Sequence, residues 1–218
     1  MPNVAILTAL YGAYDTLKPP LPQTGIDVEW ICVTDTMPDA EAAAGWAIVH
    51  EPHRGIHPNR AAKNAKFRPW EYTDAPASIW IDASFRVTST EFAASVLKHA
   101  EPIAQFVHPF RDCLYAEAEA SLLLAKYEGE PIGEQADYYR ALGHPEHWGL
   151  WAAGVIGRRH TAEVRQLGAA WAREVDVWSF QDQVSQPYAL RMVGLRPTGL
   201  PGTHFANPWL SYEGSGRH

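Results

Sequence analysis

Asp82 closes the apolar run SIWID at residues 78 to 82, and Ser84 follows two places on. A carboxylate at the end of a strand-like segment can hold a hard cation such as Mg²⁺ or Mn²⁺, as phosphate-bearing substrates require. It can equally order the ASFRVTS loop by bonding to backbone groups. Arg60, Lys63 and Lys66 recur at every third residue of RGIHPNRAAKNAKFR, so they cover a limited arc of one helix. Beside a metal carboxylate, such cations suit a diphosphate, Arg as a bidentate fork and Lys as a mobile point charge. Their alternative role is a solvated helix face. His204, in the Pro/Gly-rich segment THFANPWL, can add a nitrogen ligand to a metal already held by a carboxylate, with Trp209 closing the site. Among ten histidines it can also be a plain loop residue.

These groups need a scaffold, and the chain alternates strand and helix signals. Residues 3–10, 27–35, 45–50 and 77–82 read as strands, rich in β-branched and aromatic residues and bounded by turn formers. Residues 59–72 read as a helix with Pro69 near its end, and 90–100 as a second helix capped by Ser89 or Thr90. Then follow a strand at 102–108, helical stretches around 114–127 and 132–142, a strand at 152–159, and helices at 161–175 and 180–190. The segments 17–25 and 196–208 are Pro/Gly-rich loops. This alternation predicts an α/β fold, a largely parallel sheet covered on both faces. In such sheets ligands bind outside the carboxyl ends of the strands, which is where Asp82 falls.

Composition narrows the function. A net charge of −7 argues against bulk nucleic-acid binding, which needs many phosphate-neutralising cations. Cys32 and Cys113 lie far apart and form no CxxC, so the expectation is two buried thiols rather than a zinc site or a disulfide. Nine tryptophans suit sugar-stacking surfaces as well as cores, and for any one of them the core is the safer assignment. No stretch approaches the ~20 apolar residues of a membrane span, and the apolar N-terminus has no basic region ahead of it; the expectation is a soluble, cytoplasmic protein of one domain.

YGAYD (11–15), ICVTD (31–35), the basic helix, IWIDAS (79–84), HPFRDCLYAEA (108–118), GVIGRRH (154–160) and WSFQDQVSQPYAL (178–190) occur in this order nearly end to end. The ordered series resembles a glycosyltransferase-like domain family typified by plant enzymes of mucilage and pectin polysaccharide synthesis. That family is similar to the GT-A superfamily, whose Rossmann-like domains bind a nucleotide-sugar through a divalent metal held by a DxD-type motif. The ending HFANPW resembles the HFxGxxKPW segment of the glycogenin-like family-eight transferases, with Asn207 where that pattern has Lys.

The resemblance implies one GT-A-type domain over residues 1–218, residues 1–108 forming the nucleotide-sugar half and 109–218 the acceptor half. Asp82 takes the first DxD position and Ser84, a hydroxyl in place of a carboxylate, the second; His204 completes the Mn²⁺ or Mg²⁺ site. Thr8 and Tyr11 meet the nucleoside, Asp15 fixes their loop, and Arg60 and Lys63 contact the ribose or diphosphate. Asp182 and Gln183 match the family's DQ segment and would orient a sugar hydroxyl or act as base, while Asp182 can otherwise serve the dipole of its helix. Glu117 matches the acidic position after HPFRDC; His108 and Arg111 would face the donor sugar or tie that loop to the sheet. The implied activity is retaining transfer from a nucleotide-sugar, by default a UDP-sugar, to a carbohydrate or other small acceptor. The alternative is a sugar- or nucleotide-sugar-binding module on the same scaffold. A glycoside hydrolase, which needs two carboxylates flanking the scissile bond, fits poorly with the basic helix near Asp82.

Overall fold

The longest apolar runs become the middle of a seven-stranded sheet. In the computed structural model, which describes residues 2–12 and 14–214, the strands β1 (Val4–Leu10), β2 (Val28–Thr34) and β3 (Ala47–His50) are joined by β4 (Ala77–Ile81), every residue of which is buried. A short strand β5 (Phe85–Val87) follows, then β6 (Ile103–Val107), β7 (Trp151–Arg159), β8 (Thr198–Leu200) and β9 (Leu210–Tyr212). The sheet order is β3-β2-β1-β4-β7-β6-β8, parallel except that β7 runs antiparallel to both β4 and β6. β5 and β9 pair as a separate antiparallel ribbon. β5, β8 and β9 each span three residues, too short to show an alternation in sequence, and two of them lie in or just beyond the Pro/Gly-rich segment.

Among the described residues six helices cover the sheet: α1 (Pro58–Phe67), α2 (Phe92–His99), α3 (Leu114–Leu122), α4 (Ile132–Ala141), α5 (Ala162–Val177) and α6 (Asp182–Met192). The expected helix over 59–72 stops at Phe67 because Arg68 precedes a proline and leaves the helical region; a 3₁₀ turn at Pro69–Glu71 takes over. The expected stretch 114–127 likewise divides into α3 and a 3₁₀ turn at Ala125–Tyr127. Neither Ser89 nor Thr90 caps α2: Glu91 occupies the cap position without a side-chain bond, and Ser89 Oγ accepts from its amide in the preceding turn.

Alternate residues of the central strands feed two cores. Leu7, Ile31 and Trp80 face the helices α1 and α3 to α6, with Tyr139 and Trp171; Ile6, Cys32 and Ile79 face α2, with Phe92 and Phe106. Both cysteines are free and buried, as expected. The helix α1 is drawn tightly onto α5 at Gly168, where a Cβ would stand 2.3 Å from the Phe67 carbonyl oxygen. That close approach sets α1 against the sheet and carries its lysines toward the end of β4.

Candidate active site

Asp82 leaves β4 with its backbone still in the ladder: its N–H donates to the Gly154 carbonyl at 2.8 Å. Its Oδ1 accepts from Trp80 Nε1 at 2.7 Å and stands 3.6 Å from Lys66 Nζ, and the carboxylate is 42 % exposed. Across the ladder, Gly154 of β7 clears room for it. A Cβ there would lie 3.1 Å from Asp82 Oδ2 and 2.9 Å from Phe85 Cε2. A rigid strand thus delivers a half-exposed carboxylate to a cleft of about 360 Å³, lined among others by Tyr11, Lys63, Lys66, Asp82, Ser84 and Asp182.

Below Asp82 lies a buried ion network. Asp182 is the first residue of α6; its Oδ1 is 2.9 Å from Lys63 Nζ and its Oδ2 2.6 Å from Lys66 Nζ. Burial pushes the Asp182 carboxyl up, but Lys63 and Lys66 outweigh it and hold its pKa down to about 2. Burial lowers Lys63 below its ordinary value, whereas at Lys66 burial is outweighed by Asp182 and Asp82, so that ammonium sits above it. Lys66 is also sandwiched by indoles, 5.7 Å from the Trp80 ring centroid and 5.9 Å from that of Trp171. The two lysines sit one turn apart on α1 and share one aspartate. With the carboxylate already ionised and doubly ion-paired, Asp182 is built as a charge anchor.

A further buried carboxylate of the cleft is also committed. Glu117 of α3 is 4 % exposed; its Oε2 accepts from Arg111 Nε at 2.6 Å and its Oε1 from Gln181 Nε2 at 3.2 Å. His108 Nε2 stands 3.8 Å from Oε2. The backbone amides of Phe110 and Arg111 donate to His108 Nδ1, which places any proton of the neutral ring on Nε2, toward Glu117. Burial lowers the His108 pKa to about 4, with help from Arg111 and His204. His108 and Arg111 therefore tie their loop to Glu117, and Glu117 in turn lines the cleft. Gln183 lines it too, and its side-chain oxygen accepts from the Ala153 amide at 3.1 Å, joining α6 to β7.

Several expected site residues lie elsewhere. Thr8 points to the opposite side of the sheet from Tyr11, because residues three apart on a strand project to opposite faces; it lines a small void beside Trp30 and Trp46 rather than the cleft. Tyr11 does line the cleft, buried, with its phenol pKa raised by burial and then by Glu51 and Asp35. Arg60 does not line it: its Nη2 donates to Glu130 Oε2 at 3.3 Å and to the Trp178 carbonyl at 3.0 Å, clamping the chain before α6. Helical periodicity permits the split, since three residues advance only 300° and the arc drifts from Arg60 to Lys66, and the distant partners Glu130 and Asp182 decide it. Trp209 is a core residue against Phe106, and its carbonyl accepts from the Thr88 amide. Six of the nine tryptophans are buried, and of these Trp80 alone lines the cleft; the other five serve the core.

The His204 ring lies tilted against Phe205, centroids 3.9 Å apart, and meets Phe85 edge-on. Its Nδ1 is buried without a partner; burial lowers its pKa, and Asp82 is the charge that opposes this. Asn207 is consumed by its own turn: its amide donates to the Thr203 and His204 carbonyls, and its oxygen accepts from the Trp209 and Leu210 amides. Asp15 holds its loop, as expected, by accepting from the Thr16 amide at 2.8 Å and pairing with Lys18. Among the described residues no three His, Cys, Asp or Glu side chains are grouped as a metal cage.

The family model for the TOD1/MUCI70 glycosyltransferase-like domain matches residues 62–199, well over half of the chain. The chain belongs to this family. The matched span includes Lys63, Lys66, Asp82, Glu117, Gly154 and Asp182, the groups that converge on the cleft, whereas YGAYD and HFANPW lie outside it. No curated protein matches the sequence. Among solved structures, the fold is similar to the apo structure of WbbM, a bifunctional glycosyltransferase, with a TM-score of 0.57 at 14 % identity. That likeness covers 92 % of this chain and 39 % of the WbbM chain, so the present chain spans about two fifths of that protein's length. At such identity it speaks for the α/β architecture alone. Among the described residues no helix is long and apolar enough to cross a membrane.

Residues that sequence reasoning does not single out complete the cleft: Tyr14, Lys126, Tyr127, Gly154, Phe180 and Gln181. Lys126 and Tyr127 fall in the 3₁₀ turn that reads as helix in the sequence, and Gly154 sits in a strand where nothing local marks its role.

Proposed function

We propose that this protein transfers a sugar from a nucleotide-sugar, by default a UDP-sugar, to a carbohydrate acceptor, with retention of anomeric configuration. The observation that carries this reading is the convergence of Asp82, Lys63 and Lys66 in one cleft at the carboxyl ends of β1 and β4. Residues 1–108 would form most of the donor half and 109–218 most of the acceptor half.

A divalent ion would be held first by Asp82, with His204, which lies outside the cleft lining but close enough to feel the Asp82 charge, as a second donor. The outward Oδ2 faces the space left by Gly154, His204 has a buried Nδ1 in want of a partner, and Ser84 adds a hydroxyl at the cleft. One carboxylate, one imidazole and a hydroxyl suit Mn²⁺ or Mg²⁺ when a diphosphate supplies further oxygens. When bound, such an ion offsets the charge that grows on a departing diphosphate. The chain's own groups would do the rest. Tyr11 gives the nucleoside a buried aromatic surface, Lys66 fixes the Asp82 carboxylate, and Asp182 keeps both lysines in place. A retaining transfer needs no dedicated base, and this suits a cleft whose carboxylates Asp182, Glu117 and Asp15 are each bound in ion pairs. The same commitment favours a second reading, a nucleotide-sugar-binding module without turnover.

Calorimetric titration with UDP, GDP and their sugar conjugates, in Mn²⁺ and then in EDTA, tests the proposal. Binding of one nucleotide only with metal, lost in Asp82→Ala and His204→Ala, is expected; unchanged affinity in both variants would sink it. Hydrolysis or transfer from the bound nucleotide-sugar separates the transferase from the module.

A further inference from the structure

The three cations of the cleft are unequal. Lys63 and Lys66 are tied to Asp182, and Lys66 to Asp82 as well. Lys126, among the described residues, has no carboxylate within ion-pair distance, although it lines the same cleft. Its ammonium is held 4.9 Å from the centroid of the Tyr127 ring. Partial desolvation against the cleft wall lowers its pKa, opposed first by Asp182, then by Asp82 and Glu117, three of the carboxylates that line the cleft. It comes from a different element than the two anchored lysines, on a backbone that is well fixed. The 3₁₀ turn is closed by bonds from the Tyr127 amide to the Leu124 carbonyl at 3.0 Å and from the Glu128 amide to the Ala125 carbonyl at 3.1 Å. Tyr127 is buried against Phe180, and Gln181 Nε2 donates to Ser121 Oγ just before the turn. An anchored turn carrying a long, exposed and uncommitted ammonium is suited to close on an anion that enters the cleft.

We infer that Lys126 is a phosphate-binding residue, the cation that meets the diphosphate of the donor. This rests on the transferase reading of the cleft and adds the group that receives the leaving phosphates. Lys63 and Lys66 are engaged before the donor arrives, and the C-terminal turn carries Asn207 rather than a lysine, so among the described residues neither α1 nor that turn supplies a free ammonium.

The test is calorimetry on the full chain with inorganic pyrophosphate, UDP, GDP and the two free nucleosides, all in Mn²⁺, for the wild type, Lys126→Met and Lys126→Arg. Removing one charge-assisted hydrogen bond should weaken pyrophosphate and the preferred nucleoside diphosphate about ten- to hundred-fold in Lys126→Met. The nucleoside should be unaffected, and Lys126→Arg should lie nearer the wild type. The urea midpoints should be equal, because the side chain is exposed. Equal pyrophosphate affinity in wild type and Lys126→Met overturns the assignment, as does an equal loss for the nucleoside, which would mark a structural role. Pyrophosphate binding that depends on Lys126 but shows no nucleotide preference keeps the residue and removes the donor reading. A wild type that binds neither pyrophosphate nor nucleotide overturns both.

Discussion

Asp182→Asn isolates the buried network. The side chain is 6 % exposed and touches both lysines, so the substitution leaves two buried ammonium groups without their shared counter-charge. A carboxyl whose pKa falls from 3.8 to about 2 on folding contributes roughly 2 kcal/mol at neutral pH. Removing one member of a buried ion cluster typically costs more, about 3–5 kcal/mol, because the partners remain desolvated. We expect a loss in that range, which should lower the urea midpoint by more than about 1 M for a chain of this size. The sign with pH follows from the direction of the shift. The folded pKa lies below the unfolded one, so this stabilisation is complete above about pH 4 and is lost as pH falls toward 2. Urea unfolding of wild type and variant across that range should show the gap narrowing as acid is added. Adding Lys63→Met to Asp182→Asn should recover part of the loss, since it removes one uncompensated charge. An unchanged midpoint at pH 7, or a gap that stays constant down to the acid limb, would refute the network as described.

Gly154→Ala should fold with a cost of about 1–3 kcal/mol from overpacking against Phe85, and should cut metal-dependent nucleotide binding at least ten-fold by displacing Asp82, as calorimetry would read. Gly168→Ala places a methyl against the Phe67 carbonyl and the Trp70 ring; a loss of about 3 kcal/mol in denaturant unfolding is expected, with donor affinity falling as α1 shifts. His144 and His160 are held neutral by burial down to about pH 4. Their folded pKa values lie below the unfolded ones, so stability should fall as pH drops from 6.5 to 4, by at most about 1.4 kcal/mol per pH unit for each; His160→Gln should flatten that slope in pH-dependent unfolding.

Long periodic segments make the architecture legible. Buried runs such as VAILTAL and ASIWI announce a parallel sheet, and the placement of Asp82 at a strand end follows from the sheet alone. The reversed direction of β7 is not legible, because hydrophobic pattern records burial and not chain direction. In the site, spacing groups Arg60, Lys63 and Lys66 correctly on one helix but cannot tell which of them faces the cleft. That choice is made by partners far away in sequence, Glu130 for Arg60 and Asp182 for the lysines. Thr8 and Trp209 escape the cleft for related reasons: a strand's two faces look alike in sequence, and an indole near a histidine packs as readily inward as outward.

The charge balance of the cleft explains why such a network should be kept at all. Two lysines and two aspartates, Asp82 and Asp182, are arranged so that the cluster by itself carries no net charge, which makes its burial tolerable. A nucleotide-sugar diphosphate brings about two negative charges into this neutral setting, and more develop as the leaving group departs. On the proposed reading, compensation arrives with the ligand: a divalent ion on the outward oxygen of Asp82, and the uncommitted ammonium of Lys126. Asp182 then has a task that needs no proton transfer. By keeping Lys66 fixed between two indoles it keeps one oxygen of Asp82 occupied and turns the other outward, so the position offered to the ion is settled before the donor enters. It follows that Asp182→Asn should weaken metal-dependent nucleotide binding as well as stability. Asp82→Asn should abolish that binding while leaving the Lys63–Asp182–Lys66 pairs, and most of the stability, in place.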